Sequence, residues 1–125
     1  MINYKTEARE RFGDTDAYKE YAKKTANYTS DKWQEANDGL MRVLGKFAEC
    51  MNNGNTADSN EAQVLVIELQ DYITENYYTC TNEILAGLGQ MYVCDGRFKN
   101  SIDSHGEGTA EYASKAIKEY CKKLI

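Results

Sequence analysis

The stretch DKWQEANDGLMRVLGKFAECMNN, residues 31–53, carries the strongest structural signal in this chain. Apolar residues recur in it at steps of three and four, which puts their side chains on one face of an α-helix. These residues are Trp33, Ala36, Leu40, Val43, Leu44, Phe47, Ala48 and Met51. Thr29 or Ser30 can cap the start of the helix, and Gly54 follows where a left-handed residue often ends one. The pattern predicts one long amphipathic helix that packs on a core.

A second helix is predicted at 59–78, after a polar loop. Asp58 and Glu61 have the spacing of a capping box, in which each side chain accepts a hydrogen bond from an unpaired N–H group at the helix start. The segment is apolar on more than one side, so we expect it to lie at the centre of the fold. Its apolar residues are Val64, Leu65, Val66, Ile67, Leu69, Tyr72, Ile73 and Tyr77.

Three more helices complete the prediction. The first follows a cap at Asp14 or Thr15 and carries Tyr18, Tyr21, Ala22 and Thr25. The second follows a cap at Thr79 or Thr81 and carries Ile84, Leu85, Leu88, Met91 and Tyr92. The third, at 109–124, turns Ala113, Ala116, Ile117, Tyr120 and Leu124 inward, and a short helical turn is expected at 98–103. The chain has no proline and no strand pattern, so it is predicted to be all-α with about five helices.

Gly87 and Gly89 lie inside the helix that is predicted to follow Thr81. Each costs about 1 kcal/mol of helix stability relative to alanine, and such a cost usually means that another group packs against the backbone there. A close packing contact is therefore expected at both positions.

Composition and charge exclude several classes of protein. A chain of 125 residues can form one hydrophobic core, and we expect a single domain over residues 1–125. The net charge of −5 gives no basic surface for nucleic acid, and no apolar run is long enough to span a membrane. No signal-peptide core follows Met1, so a cytoplasmic location is expected. The four cysteines include no CxxC pair and His105 is the single histidine, so neither a zinc site nor another cofactor is predicted.

Little in the sequence points to catalysis. His105 lies in the polar stretch SHGEG, with no serine or cysteine placed beside it by helical spacing, as is typical of a solvated loop histidine. The one enzyme alternative is a small helical hydrolase that uses Cys80 or His105. Such an enzyme requires these two side chains, or one of them and a carboxylate, within hydrogen-bond reach.

Aromatic residues are abundant, with ten tyrosines, three phenylalanines and one tryptophan. A small-molecule site between helices is typically lined by apolar and aromatic side chains with a few polar tips. Periodicity by itself favours rings that serve only as core, and it leaves open an apolar groove that takes a partner helix. A long open groove would favour the partner helix, whereas a closed pocket would favour a small molecule.

Three separated blocks carry a more specific signal. The first is RFGDTDAY at 11–18, the second joins Tyr28 and Thr29 to Trp33, and the third is MYVCDGRF at 91–98. In this order and spacing the blocks resemble the TipAS antibiotic-recognition domain, the effector half of TipA-type regulators in the MerR family. The resemblance extends from about residue 7 to residue 117, and three blocks in the right order are more specific than any one of them.

The resemblance implies an all-helical, globin-like domain whose cleft binds bulky, mostly apolar antibiotics such as thiopeptides. Segment 1–28 is implied to be a mobile lid that orders over the ligand, and 29–125 the helical core. A lid that orders on binding loses conformational entropy, so its rings must bury apolar area in compensation. The residues expected to bind the ligand are Phe12, Tyr18 and Tyr21 in the lid, with Tyr77, Cys80, Ile84, Gly87, Leu88 and Met91 in the cleft wall. The residues expected instead to hold the turn after Met91, through an ion pair and a buried ring, are Asp95, Arg97 and Phe98.

Several positions depart from the family pattern. Phe12 stands where the family often has a tryptophan, and Leu69 and Tyr72 stand where members commonly have histidines. Some members capture a thiopeptide covalently on a cysteine thiolate, and the resemblance places that nucleophile at Gly87, while Cys80 matches a second family cysteine. Reversible, non-enzymatic binding is therefore expected.

The DNA-binding part of a full regulator is the other departure. No winged helix-turn-helix or dimerisation helix precedes Asn3, so direct DNA binding by this chain is not expected. The chain is expected to act either as the effector domain of a transcriptional activator or as a stand-alone protein that sequesters the drug.

Overall fold

The computed structural model describes residues 16–122 of the chain, with side chains from residue 19 onward. This part of the chain folds into six α-helices without a strand. The helices are α1 (Asp16–Thr25), α2 (Ser30–Asn52), α3 (Asn60–Asn76), α4 (Asn82–Cys94), α5 (Gly96–Asp103) and α6 (Thr109–Lys122). The all-α prediction is confirmed, and the additional helix is α5, because the turn expected at 98–103 is a helix of eight residues. The cap expected at Asp14 or Thr15 and the inward Leu124 lie outside the described residues.

The long helix α2 is capped at both ends and buries one of its faces. The Thr29 hydroxyl accepts a hydrogen bond from the Lys32 N–H group at 3.1 Å, and Gly54 adopts a φ of +86° just beyond the other end. Glycine suits that left-handed conformation because it has no Cβ atom to clash. The predicted amphipathic helix is confirmed: of its inward residues, Ala36, Val43, Leu44, Phe47 and Ala48 are buried, and Trp33, Leu40 and Met51 are half-buried.

Single hydroxyl groups cap the two middle helices. The Thr81 hydroxyl accepts a hydrogen bond from the Ile84 N–H group at 3.2 Å, which confirms one of the two caps expected for α4. At the start of α3 the expected cap is wrong, because Ser59 rather than Asp58 accepts the hydrogen bond from the N–H group three residues on. Asp58 lies one residue too early, since the chain becomes helical only at Asn60.

The central helix of the fold is α6 rather than α3. It contacts α2, α3, α4 and α5, and its Ala110, Ala113 and Ala116 are completely buried. Small side chains let neighbouring helices approach closely, which explains how one helix packs against four others. α3 instead leaves one face to solvent, where Val64 and Ile67 are 62% and 44% exposed. The central position expected for α3 is therefore wrong.

The two glycines inside α4 have different surroundings. At Gly89 a Cβ atom would come within 3.1 Å of Ile117 Cγ2, so α4 lies close against α6 and the contact expected there is confirmed. At Gly87 no atom of another described residue lies within 4 Å of the place that a Cβ would take, so residues 19–122 do not form the contact expected there. The described residues thus leave the outer side of α4 open at Gly87.

The start of α6 is held by Asp103, a residue of α5. Its carboxylate accepts hydrogen bonds from Lys99 Nζ at 2.8 Å and from the Ala110 N–H group at 2.9 Å. These bonds, chiefly the one from Lys99, hold the pKa of Asp103 below its ordinary value. A carboxylate with a lowered folded-state pKa contributes stability above its unfolded-state pKa, and the contribution is lost as the pH falls through the folded-state pKa.

We expect Asp103→Asn to lower the free energy of unfolding by about 1–2 kcal/mol at pH 7, because the first turn of α6 loses a charged acceptor. Urea denaturation of both proteins at pH 7 and at successively more acidic pH measures the effect, which shrinks as Asp103 becomes protonated in the wild type. The control is Asp71→Asn on the exposed side of α3, which should change stability by less than about 0.5 kcal/mol. A difference between Asp103→Asn and wild type that did not vary with pH would contradict the role of the charge.

Candidate functional site

Five aromatic side chains form one group where α1, the start of α2 and the end of α3 meet. Trp33 is at its centre, with its ring centroid 5.3 Å from that of Tyr28 and 6.0 Å from that of Tyr21. The ring of Tyr77 lies 6.3 Å from Trp33, and that of Tyr78 lies 6.4 Å from Tyr21. Rings at these separations attract one another through offset and edge contacts. We call Tyr21, Tyr28, Trp33, Tyr77 and Tyr78 the aromatic cluster.

Local structure places each ring in the cluster. The cap at Thr29 starts α2 so that Trp33 lies in its first turn, where the Trp33 N–H group donates to the Thr29 carbonyl at 2.9 Å. At the other side α3 ends at Asn76, and the N–H group of the following residue, Tyr77, still donates to the Ile73 carbonyl at 2.9 Å. The chain leaves the helix there, and the rings of Tyr77 and Tyr78 reach the rings of α1 and α2.

The tyrosines of the cluster keep polar tips among apolar ring surfaces. The Tyr77 hydroxyl donates to Asn37 Oδ1 at 2.8 Å, and the Tyr28 hydroxyl donates to the Asn76 carbonyl at 2.6 Å. Burial raises the pKa of both Tyr77 and Tyr78, so their hydroxyls stay protonated at neutral pH. The cluster therefore combines a broad apolar surface with a few neutral hydrogen-bonding groups.

The outer side of α4 is a second apolar element. Ile84, Leu88 and Met91 recur at steps of four and three and are half-buried, so they share one face of the helix. Gly87 lies on the same face, and no other described residue comes within 4 Å of the place that its Cβ would take. We call these four residues the α4 face. The short turn 77–81 joins the aromatic cluster to α4.

Cys80 lies in that turn, and its thiol is buried. The residue is 4% exposed, and Sγ lies 3.9 Å from the Thr81 carbonyl oxygen, to which it donates. Burial, with a smaller effect from Cys121, raises the pKa of the Cys80 thiol to about 11. The thiolate is the nucleophilic form of cysteine, so Cys80 is a weak nucleophile at neutral pH.

The contacts that a hydrolase would need are not formed in the described part of the chain. Within residues 16–122 no hydrogen bond joins Cys80 Sγ to His105 or to a carboxylate. His105 lies instead against α2, where a Cβ atom at Gly45 would come within 3.0 Å of its Nδ1. Over the same residues no group of three histidine, cysteine or acidic side chains could hold a metal ion.

The structure brings together some of the residues that the sequence pointed to. Tyr21 and Tyr77 meet through Trp33, and the α4 face holds the four residues expected from that helix. Phe12 lies outside the described residues, as does the side chain of Tyr18. That the residues expected to bind the ligand do contact one stays a prediction.

Sequence reasoning missed three members of the aromatic cluster as site residues, namely Tyr28, Trp33 and Tyr78. A signal for two of them was available, because Tyr28 and Trp33 both lie in the second of the three sequence blocks. Tyr78 had no comparable signal, since its place depends on how α3 ends.

Asp95, Arg97 and Phe98 lie at the junction of α4 and α5. Asp95 caps α5 and accepts hydrogen bonds from the Arg97 N–H group at 3.0 Å and from Arg97 Nη2 at 2.6 Å. The half-buried ring of Phe98 lies 6.4 Å from that of Tyr92. That these residues hold the junction rather than contact a ligand remains a prediction.

A separate groove of about 330 Å³ lies between the end of α2 and the start of α3. It is far along α2 from Trp33, and three of its residues are charged. Its lining consists of Lys46, Glu49, Cys50, Asn53, Asn55, Glu61 and Leu65. Among the described helices 16–122, none has an apolar stretch of the length that a bilayer requires.

The chain matches the family model described as the TipAS antibiotic-recognition domain over residues 4–120. It is 40% identical over 114 residues to the HTH-type transcriptional activator TipA of Streptomyces coelicolor. It is 35% identical over 118 residues to the HTH-type transcriptional activator mta of Bacillus subtilis. These alignments cover 91% and 94% of this chain but 45% of each relative, so the chain spans less than half the length of these relatives. The names are those of regulators and not of enzymes.

Two solved structures are also similar. One is TipAS of Streptomyces lividans in complex with nosiheptide, a thiopeptide antibiotic, with a TM-score of 0.83 and 37% identity over 97% of this chain and 85% of that chain. The other is the antibiotic binding domain of a TipA-class multidrug resistance transcriptional regulator, with a TM-score of 0.66 and 33% identity over 74% of this chain and 98% of that chain. The chain therefore belongs to the TipAS antibiotic-recognition domain family.

Proposed function

We propose that this chain recognises a bulky, largely apolar antibiotic such as a thiopeptide, and that it catalyses no reaction on it. The observation that carries the proposal is the aromatic cluster, joined by one short turn to the α4 face, in a chain of the TipAS family. Sites for small molecules combine apolar surface with a few fixed polar groups, and the protonated hydroxyls of Tyr77 and Tyr78 supply such groups.

Relatives support the choice of ligand class. The similar Streptomyces lividans structure holds nosiheptide, and the second similar structure is named as an antibiotic binding domain. A partner helix is the less favoured occupant, because the similar Streptomyces lividans structure holds a small molecule. The chain would recognise the drug in the same way whether it acts as the effector domain of a cytoplasmic activator or as a protein that sequesters the drug. We do not expect it to bind DNA itself, because its net charge of −5 gives no basic surface.

We infer that binding is reversible. Covalent capture of a dehydroalanine requires a thiolate, which adds to the alkene carbon while the neighbouring carbon takes up a proton. The raised pKa of Cys80 leaves on the order of one thiol in ten thousand ionised at neutral pH. Position 87, where the family resemblance places the other nucleophile, is Gly87 and carries no side chain.

A titration with nosiheptide and other thiopeptides, followed by Trp33 fluorescence, tests the function. We expect saturable binding by the wild type and by Cys80→Ser alike, and an intact mass after denaturation equal to that of the protein alone. The matched control is Gly87→Cys, which should gain an adduct with dehydroalanine-containing ligands because it places a thiol where the family resemblance puts the nucleophile, whereas Gly87→Ala should not. Absence of binding to any compound would refute the function, and a wild-type adduct lost in Cys80→Ser would refute reversibility.

A further inference from the structure

Three side chains at four-residue steps, Glu20, Lys24 and Tyr28, reach from the α1 region to the end of α3. Lys24 Nζ donates to the Thr74 carbonyl at 2.6 Å, and the Tyr28 hydroxyl donates to the Asn76 carbonyl at 2.6 Å. The Glu20 carboxylate accepts hydrogen bonds from both the N–H group and the hydroxyl of Thr79, the latter at 2.8 Å. We call Glu20, Lys24 and Tyr28 the α1 latch.

The latch uses backbone groups that a helix end leaves unpaired. The last four carbonyl groups of a helix have no partner within it, and they form the negative end of its dipole. Lys24 and Tyr28 donate to two of these carbonyls, and Lys24 brings a positive charge that the dipole favours. Glu20 pairs with an N–H group in the turn that follows, and this bond lowers its pKa, so it is ionised at neutral pH.

The α1 latch and the aromatic cluster are close together in the chain and share Tyr28. Tyr21 directly follows Glu20 in α1, and its ring lies 6.0 Å from Trp33. Tyr28 is itself a latch residue and contributes its ring, 5.3 Å from Trp33. Placing the latch against α3 therefore also places two of the five rings against the other three.

Among the described side chains of α1, few are buried. From residue 19 onward Thr25 is its only buried side chain, and the Thr25 hydroxyl bonds within α1 to the Tyr21 carbonyl. Exposed polar contacts are individually weak, so the fraction of molecules with α1 docked depends on each of them. If a ligand binds the molecules in which α1 is docked, its apparent dissociation constant rises when the docked fraction falls.

We propose that Glu20 and Lys24 are positioning residues: they dock α1 on the end of α3, hold Tyr21 and Tyr28 against Trp33, and thereby set the affinity for the antibiotic. The link to affinity rests on the function proposed above, whereas the docking itself does not. Neither residue belongs to the aromatic cluster, so the two can be changed without altering a ring.

Trp33 is the only tryptophan of the chain, so its fluorescence reports the docking of α1 without any ligand. The variants are Glu20→Gln, Lys24→Met and the double variant, with Lys23→Met, an exposed lysine of α1, as the matched control. We expect the emission of Trp33 to shift to longer wavelength in the latch variants and not in Lys23→Met, while the urea midpoint followed by far-UV circular dichroism stays that of the wild type. The dissociation constant for nosiheptide should rise by about two- to fivefold in each single variant and about tenfold in the double variant.

The outcomes separate docking from recognition. If the Trp33 emission of the double variant equals that of the wild type, the latch does not hold the rings and the proposal is overturned. If the emission shifts but the dissociation constant does not change, the link between docking and affinity is overturned. If the wild type binds no antibiotic, the proposed function fails, and the emission shift by itself still decides whether Glu20 and Lys24 dock α1.

Discussion

Replacing Trp33 with alanine is expected to weaken the binding of a thiopeptide by about 30- to 1000-fold, which corresponds to about 2–4 kcal/mol. Trp33 contacts Tyr21, Tyr28 and Tyr77, so it is the one ring on which the aromatic cluster is built. Without it, Tyr21 and Tyr28 lose the ring through which they meet Tyr77, while Tyr21 keeps its contact with Tyr78. Large aromatic residues at the centre of a binding surface commonly contribute most of its affinity.

The matched variants for this prediction separate the ring from the fold. Trp33→Phe keeps an aromatic surface and should lose no more than about tenfold in affinity. Ile102→Ala, in α5, removes a side chain that is 1% exposed, so it should lower stability without changing a residue of the aromatic cluster. Isothermal titration at a temperature where all variants remain folded gives the dissociation constants. An affinity of Trp33→Ala within about threefold of the wild type would show that the ligand binds elsewhere.

The helices and the buried face of α2 could be predicted from the sequence, because periodicity and caps are local signals. Phe47 and Leu44 are buried as their spacing requires, and Thr81 caps α4 as its position before the apolar residues indicates. For α3, the distribution of apolar residues predicted the wrong position in the fold. Val64 and Ile67 are as apolar as their buried neighbours, and only the placement of α2 and α6 determines which side of α3 is covered.

The site was predictable only in part, because its contacts join residues far apart in the chain. The bonds of Lys24 to Thr74 and of Tyr28 to Asn76 span 50 and 48 residues, and no local pattern encodes them. The family resemblance led to Tyr21, Tyr77 and the α4 face, since it implies a whole fold and not only local structure. It could not supply Tyr78, whose position follows from the way in which α3 ends.

The same substitution, glycine to alanine, is expected to have opposite effects in two helices of this protein. Gly39→Ala should lower the free energy of unfolding by about 1–3 kcal/mol, whereas Gly87→Ala should raise it by about 1 kcal/mol. Alanine is the better helix former at both positions, so any difference between the two variants comes from the surroundings.

Gly39 lies under the ring of Tyr72. A Cβ atom there would come within 2.7 Å of Tyr72 Cζ and still closer to its hydroxyl oxygen, which donates to the Ala36 carbonyl at 2.7 Å. The ring must therefore move away and lose this hydrogen bond, a loss that outweighs the gain in helix propensity. At Gly87 a Cβ atom would meet no other described residue within 4 Å, so we expect only the gain in helix propensity.

Urea denaturation of the wild type and both variants measures the two free energies, and a third background isolates the cause. In Tyr72→Leu the ring atoms nearest Gly39 are absent, so adding Gly39→Ala to it should cost less than about 0.5 kcal/mol or even stabilise the protein. If Gly39→Ala were equally destabilising with and without the Tyr72 ring, close packing of α3 on α2 at this point would not explain the glycine. If it were stabilising in the wild type, Tyr72 would not be held over Gly39 by its bond to Ala36.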